Sequence, residues 1–234
     1  MVAVRAGNFW MGAPMAEAEG YDCERPQHRV TVKPLCMGKY PITQAQWQAI
    51  AATEPINLPL EPNPAKFQGA DRPIERISWF EAVEFCQRLS RLSGRRYRLP
   101  SEAQWEYACR GGTTSPFHFG KQLPQHLVNY HGWGGNGGKQ EGTTTVGNFG
   151  VANAFGLYDM HGNVYEWCLD HWHDDYEGAP IDGSAWLDNQ EEERVIRGGF
   201  WLSYAKHCRS AHRDSSEPDS RSSVIGFRVV CDAI

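Results

Sequence analysis

The stretch Arg194–Val230, RVIRGGFWLSYAKHCRSAHRDSSEPDSRSSVIGFRVV, decides the reading of this chain. Two kinds of residue interleave in it. Arg197-Gly198-Gly199, Trp201, Cys208-Arg209-Ser210-Ala211, Arg213, Pro218-Asp219, Arg221 and Ile225-Gly226-Phe227-Arg228-Val229-Val230 read as a fixed frame. Between them stand Phe200, Leu202, Ser203, Tyr204, His207, His212, Asp214, Ser215, Ser216, Ser220, Ser222, Ser223 and Val224. Those positions share neither a hydrophobic period nor a common chemistry. Such a pattern fits a binding surface whose fold is carried by the scaffold beneath it. Trp201, set amid the arbitrary positions, reads as a floor to that surface.

Outside this block the chain is rich in turns and poor in long regular elements, with 24 glycines and 14 prolines spread through 234 residues. Three capping boxes mark helix starts: Thr43-x-x-Gln46, Ser78-x-x-Glu81 and Ser101-x-x-Gln104. The first predicts a short helix with Trp47 and Ile50 inward. The second opens a longer one in which Ala82, Val83, Phe85, Cys86, Leu89 and Leu92 recur at helical spacing until Gly94. The third turns Trp105 and Ala108 inward and stops at Gly111-Gly112. Strand patterns appear at Val2, His28–Val32, Arg194–Arg197 and Gly226–Val230. Pro116 to Asn153 is mostly loop, and its Gly132–Gly138 run lacks the Lys-Ser/Thr ending of a phosphate cradle.

Composition narrows the function. With 41% of residues hydrophobic, the chain can bury a sizeable core. A net charge of -5 opposes nucleic-acid binding, which needs clustered Lys and Arg to neutralise phosphates. No stretch reaches the roughly 18–20 apolar residues of a membrane span, and no signal peptide is expected at the N-terminus. The seven cysteines are scattered without CxxC spacing, which points away from a zinc site or disulfide framework and toward a reducing cytoplasm. A strand pattern beginning at Val2 and an end soon after Val230 are what a module excised from a larger protein would show.

Seven motifs, in order along the chain, carry a resemblance. They are Gly7–Gly12 (GNFWMG), Glu24–Val30 (ERPQHRV), Tyr40–Thr43 (YPIT), Pro73–Trp79 (PIERISW), Arg98–Ala108 (RLPSEAQWEYA), Phe155–Trp167 (FGLYDMHGNVYEW) and the closing Arg197–Val230 block. In these the chain resembles the formylglycine-generating enzyme (sulfatase-modifying factor) family over essentially its whole length. The resemblance implies an α+β fold of the formylglycine-generating-enzyme type, C-type-lectin-like, with short helices, small antiparallel sheets and many loops. It implies one domain over residues 1–234.

Within that family the closing block is most similar to the variable region of diversity-generating retroelement proteins. There, reverse transcription errors at template adenines turn AAY codons into NNY, which encode neither Lys, Glu, Gln, Met nor Trp. All the interleaved positions obey that restriction, while Lys206 and Glu217 between them do not. The variable ligand-binding region is thereby set at about 197–225, and its partner is expected to be an unknown protein or other macromolecule.

The same resemblance frames two metal questions. Family oxidases hold Cu(I) through two late cysteines five positions apart; here the second is Cys208 and the first falls on Ser203. A protonated serine hydroxyl does not replace a thiolate for a soft ion, so no copper and no catalysis are expected. The family's calcium loop maps onto the carboxylates of Asp159 and Glu166 and the carbonyls of Gly162 and Val164, a hard-oxygen set suited to structural Ca²⁺. The competing reading is a tight turn whose carboxylates are solvated or paired with arginine. A second calcium set would use Asn129, the Tyr130 carbonyl and Glu141. His171-x-His173-Asp174-Asp175 reads as a polar surface loop rather than a zinc ligand set, for want of a third partner. Trp167 and Trp172 read as core or wall residues. The function expected is ligand recognition by a diversified surface. The alternatives are a copper- and oxygen-dependent formylglycine-generating oxidase or a non-diversified interaction domain.

Overall fold

The computed structural model describes residues 1–131, 142–187 and 192–233; the glycine run at 132–138 and Glu141 lie outside them. Among the described residues, ten short strands and three helices follow in order. Strands β1 (Val2–Val4), β2 (Gly7–Met11), β3 (His28–Val32) and β4 (Leu35–Met37) precede helices α1 (Gln44–Ala51) and α2 (Trp79–Ser93). Strand β5 (Tyr97–Arg98) leads into α3 (Glu102–Arg110). Strands β6 (Tyr165–His171), β7 (Arg194–Arg197), β8 (Arg213–Ser216), β9 (Ile225–Gly226) and β10 (Val230–Asp232) complete the chain. The fold is α+β. No helix among the described residues is long and apolar enough to cross a membrane.

All three capping boxes form, with Thr43, Ser78 and Ser101 each accepting a backbone N–H at the third helical position. Gly94 and Gly111 close α2 and α3 in the left-handed conformation, which glycine reaches without steric cost. One helical position differs from expectation: Leu92 is 58% exposed, because α2 presents its last turn to solvent. Helix α3 differs more. Every one of its residues is buried, Glu102, Gln104, Glu106 and Arg110 included. Its polar side faces other protein rather than water.

Three sheets organise the strands: β1-β4-β10-β5, β2-β3 and β8-β7-β6-β9. In the last, β6 pairs antiparallel with β7 and parallel with β9, while β8 pairs antiparallel with β7. Its central strands β6 and β7 are buried on both faces. Val195 and Cys168 join one apolar cluster with Trp105, Val30 and Met37. Ile196 and Trp167 join another with Trp47, Phe85 and Phe227. In the second cluster Trp47 stacks on Phe85 at 5.6 Å, and Phe227 meets Phe85 edge-on at 5.2 Å, an aromatic arrangement that adds to area burial.

The single strand expected over Gly226–Val230 is two elements. Gly226 pairs with β6 and Val230 with β4, so the chain passes from one sheet to the other between them. Carbonyls of Phe227 and Val229 accept N–H groups of Ile42 and Gly38 during the crossing. Gly226 is required there, since a Cβ would lie 2.4 Å from the Ile74 carbonyl oxygen.

Candidate functional site

Strand β7 delivers Arg197 into the interior, and the chain then reverses through Gly198 and Gly199, with φ of +101° and +73°. A Cβ on Gly199 would sit 2.5 Å from Cys208 Sγ, so the turn and the thiol are packed against each other. The loop from Phe200 runs through a 3-10 turn, Ala205–Cys208, and returns along β8. A second excursion, 217–224, ends on β9.

Beneath this surface lies an ionic framework built from the frame arginines. Arg197 donates to the carbonyls of Ser210 (2.8 Å) and Ala211 (2.9 Å), and pairs with Glu106 and with Glu102 (3.3 Å). Arg213 clamps both carboxylate oxygens of Glu102 at 2.8 and 2.9 Å. Arg209 binds Glu24 at 2.6 and 2.8 Å and Glu17 at 2.6 Å. Arg110 adds a 2.8 Å contact to Glu106. Burial alone would raise the Glu106 pKa, but the Arg110 and Arg197 guanidiniums outweigh it and hold the carboxyl below its ordinary value. Burial likewise opposes charge on Arg197, yet Tyr176, Glu106 and Glu102 raise its pKa overall. These pairs explain why a charged helix, α3, can be wholly enclosed.

Above the framework the interleaved residues divide. Leu202 and Tyr204 are 49% and 48% exposed. Asp214 is also exposed, while His207, Ser215, Ser216, Ser220, Ser222 and Ser223 are half-buried. Phe200 and Val224 are half-buried against the apolar cluster, forming a wall more than a rim. Trp201, half-buried, meets Phe67 edge-on at 5.4 Å. Tyr165 joins Phe200, at 5.4 Å between rings, to Asp214, by a 3.3 Å hydrogen bond. Tyr204, His207 and His212 form a neighbouring aromatic and imidazole strip. Remote segments supply members that the sequence did not flag: Tyr21 contacts His207 at 3.2 Å, and His131 lies 5.7 Å from Tyr204. No local pattern marks them, because only the tertiary fold brings them here.

Two interleaved residues are not surface residues. Ser203 is 3% exposed; its hydroxyl accepts the Phe200 N–H at 3.0 Å and its amide donates to the Phe200 carbonyl at 2.9 Å, closing a turn. His212 is 5% exposed beneath Tyr21 and His207. Burial first, then His207 and Arg209, push its pKa down to about 2, so it is a neutral packing group.

The metal expectations meet the same framework. Cys208 is fully buried, and burial pushes its thiol pKa well up. With Ser203 turned into its own loop, this pair does not fit a dithiolate copper site. Glu166 does not fit calcium either. Its carboxylate takes Arg228 Nε at 2.6 Å, Arg228 Nη2 at 2.7 Å and Trp105 Nε1 at 2.7 Å. A hard cation would have to displace a buried guanidinium. Asp159 accepts the Gly147 N–H at 2.7 Å, and burial raises its pKa to about 6 despite that bond and Arg228. The Gly162 carbonyl accepts the Val164 N–H at 3.0 Å, and of the Asp159, Gly162, Val164, Glu166 set both carboxylates are engaged, by the Gly147 N–H and by Arg228. In the second set, Asn129 donates its amide to Gly142 and Asn163. His171 is buried and His173 stacks on Trp186 at 3.6 Å, so neither belongs to an open polar loop. Trp167 is core and Trp172 half-buried, as expected. Among the described residues no group of three or more His, Cys, Asp or Glu could hold a metal ion.

The sulfatase-modifying factor enzyme 1-like domain model matches residues 1–233. The formylglycine-generating enzyme of Mus musculus is 30% identical over 99% of this chain and 75% of its own length. PvdO from Pseudomonas aeruginosa superposes with a TM-score of 0.88 at 36% identity, covering 99% of this chain and 93% of that one. Treponema denticola variable protein 1 gives 0.83 at 25% identity, covering 100% and 95%. The chain spans only 37% of the length of the serine/threonine-protein kinase pkn1 of Chlamydia pneumoniae, to which it is 30% identical.

Proposed function

This chain belongs to the sulfatase-modifying factor enzyme 1-like domain family, and on that scaffold we propose that it is a ligand-binding protein displaying a diversified C-terminal surface. The observation that carries the proposal is the division of the final block. Its frame arginines Arg197, Arg209, Arg213 and Arg228 are buried in ion pairs, and Arg221 pairs with Glu81 at the rim, while Leu202, Tyr204, Asp214 and most interleaved residues reach solvent. A contact surface resting on a fixed ionic framework can change its side chains without changing the fold beneath. Exposed tyrosine with serine, histidine and aspartate offers aromatic area and adaptable hydrogen bonding, the composition of a paratope. Rigidity under the surface keeps the ordering cost of binding low. The structural likeness to a variable protein supports the same reading.

The partner proposed is a protein or other macromolecule. The contact set contracts to Leu202, Tyr204, His207, Asp214, Ser215, Ser216, Ser220, Ser222 and Ser223, walled by Phe200, Trp201 and Val224. We place it in one domain, residues 1–234, within the cytoplasm, the compartment that suits cysteines without a disulfide framework. Oxidase activity is disfavoured by Ser203 and by the enclosed Cys208. The test is genomic: the coding block for residues 197–225 is compared with a nearby near-identical repeat. Differences confined to template adenines, falling on the exposed codons, are expected. Absence of such a repeat, or differences scattered over frame codons, would overturn diversification and leave a fixed interaction domain.

A further inference from the structure

Away from the binding face, the sheet β1-β4-β10-β5 holds two cysteines opposite each other. Cys231 of β10 is the direct register partner of Cys36 of β4. Opposed residues of an antiparallel pair have Cα atoms about 4.5–5.5 Å apart, inside the about 4.4–6.8 Å that a disulfide spans. The adjacent pair, Val230 and Met37, is buried in the core. Side chains alternate along a strand, so the two thiols share the opposite face. There a row of Ala3, Cys36, Cys231 and Tyr97 crosses the four strands.

The two thiols are unlike. Cys36 is half-buried, flanked on one side by the small Ala3, and open to reagents. Cys231 is buried but within hydrogen-bond reach of Cys36, and Arg95 Nη2 donates to its sulfur at 3.2 Å. Arg95 also donates to the Asp232 carbonyl at 3.1 Å, which fixes the guanidinium over the strand. The remaining cysteines are placed differently. Cys86, Cys109, Cys168 and Cys208 are enclosed, and Cys23, half-buried like Cys36, lies outside this sheet beside Arg213, Glu24 and Glu102.

We propose that Cys36 and Cys231 are a redox dithiol, converted to a cross-strand disulfide by a low-molecular-weight disulfide. Cys36, the accessible thiol, reacts first. Its sulfur attacks one sulfur of the small disulfide, that S–S bond breaks, and one small thiol departs with the proton Cys36 gave up. Cys231 then attacks the Cys36 sulfur of the mixed disulfide, and the second small thiol leaves with the Cys231 proton. Two electrons pass from the protein dithiol to the small disulfide, which becomes two thiols. Arg95 assists the second step, because its N–H faces the sulfur that must carry negative charge. The product clips β10 to β4 just beyond the frame segment Ile225–Val230. This inference stands apart from the binding reading and uses none of its residues.

The experiment treats the folded full-length chain with glutathione disulfide, blocks residual thiols, and maps the digest by mass spectrometry without reductant. A Cys36–Cys231 linked peptide is expected as the main product, disappearing with dithiothreitol. Cys231→Ser should halt at a single glutathione on Cys36. Cys36→Ser should lose the link and leave Cys231 unlabelled, whatever glutathione Cys23 takes up. Wild-type protein that keeps glutathione on Cys36 without forming the link would overturn the proposal. So would linkage to another cysteine at a comparable rate, or Cys231 labelled equally fast in Cys36→Ser. The wild-type digest decides the matter even where a variant folds poorly.

Discussion

Replacing Arg228 by methionine should destabilise the domain severely, and replacing Glu166 as well should restore part of the loss. Arg228 is fully buried and binds both oxygens of Glu166, at 2.6 and 2.7 Å, together with the carbonyls of Gly38 and Tyr158 at 3.0 Å each. Methionine fills much of the volume but leaves a buried carboxylate held only by the Trp105 N–H. Breaking a buried ion pair from one side costs about 3–5 kcal/mol, chiefly because the remaining charge is uncompensated. For a chain of this size each kcal/mol shifts the melting temperature by about 2–4 °C, so a fall of roughly 6–20 °C is expected. The double variant Arg228→Met with Glu166→Met removes the stranded charge and should show a favourable coupling of about 1–3 kcal/mol. Urea unfolding of the four proteins, each in calcium and in chelator, measures the cycle. Additive losses, or a loss in Glu166→Met that appears only in calcium, would refute the ion-pair account and return Glu166 to a cation.

Tyr204→Ser and Leu202→Ser should change stability by no more than about 0.5 kcal/mol, as exposed sites do. Phe227→Ala, in the Trp47–Phe85 stack, should cost about 3–5 kcal/mol; comparable melting losses at all three sites would make the block core rather than surface. Glu106 has a folded pKa held below its ordinary 4.5, so its contribution is present above that pH and fades as pH falls through the folded value. Glu106→Gln should therefore melt well below wild type at pH 7, with the gap closing under acid; a gap independent of pH would contradict the assignment.

Local chemistry was legible in the sequence wherever the partners lie close along the chain. The Thr43, Ser78 and Ser101 boxes bond to residues three positions on, so helix starts were readable. The frame of the final block was readable because its arginines and glycines interrupt an otherwise patternless run. Long-range pairing was not. Glu102 and Glu106 look like the solvated side of α3 until Arg213 and Arg197, roughly a hundred positions later, are folded against them. The resemblance leaves Glu166 open to a cation or to an arginine, and nothing near it in the chain announces Arg228. Ser203 and His212 have the residue types of an adaptable surface, but a turn and an overlying tyrosine take them inside.

The variable block is tethered at both ends to one strand: β7 and β9 flank β6 on opposite sides. Adjacent strands lie about 4.7–4.9 Å apart, so the exit and re-entry points are fixed about 10 Å from each other whatever the chain does between them. Closing a loop between fixed ends becomes harder only logarithmically with its length, about 0.6 kcal/mol for each doubling. The architecture therefore tolerates additions as well as replacements. A peptide grafted between Ser216 and Ser222 would run from β8 to β9, about 14 Å apart across the sheet, and would change the reach of the surface, not merely its lettering.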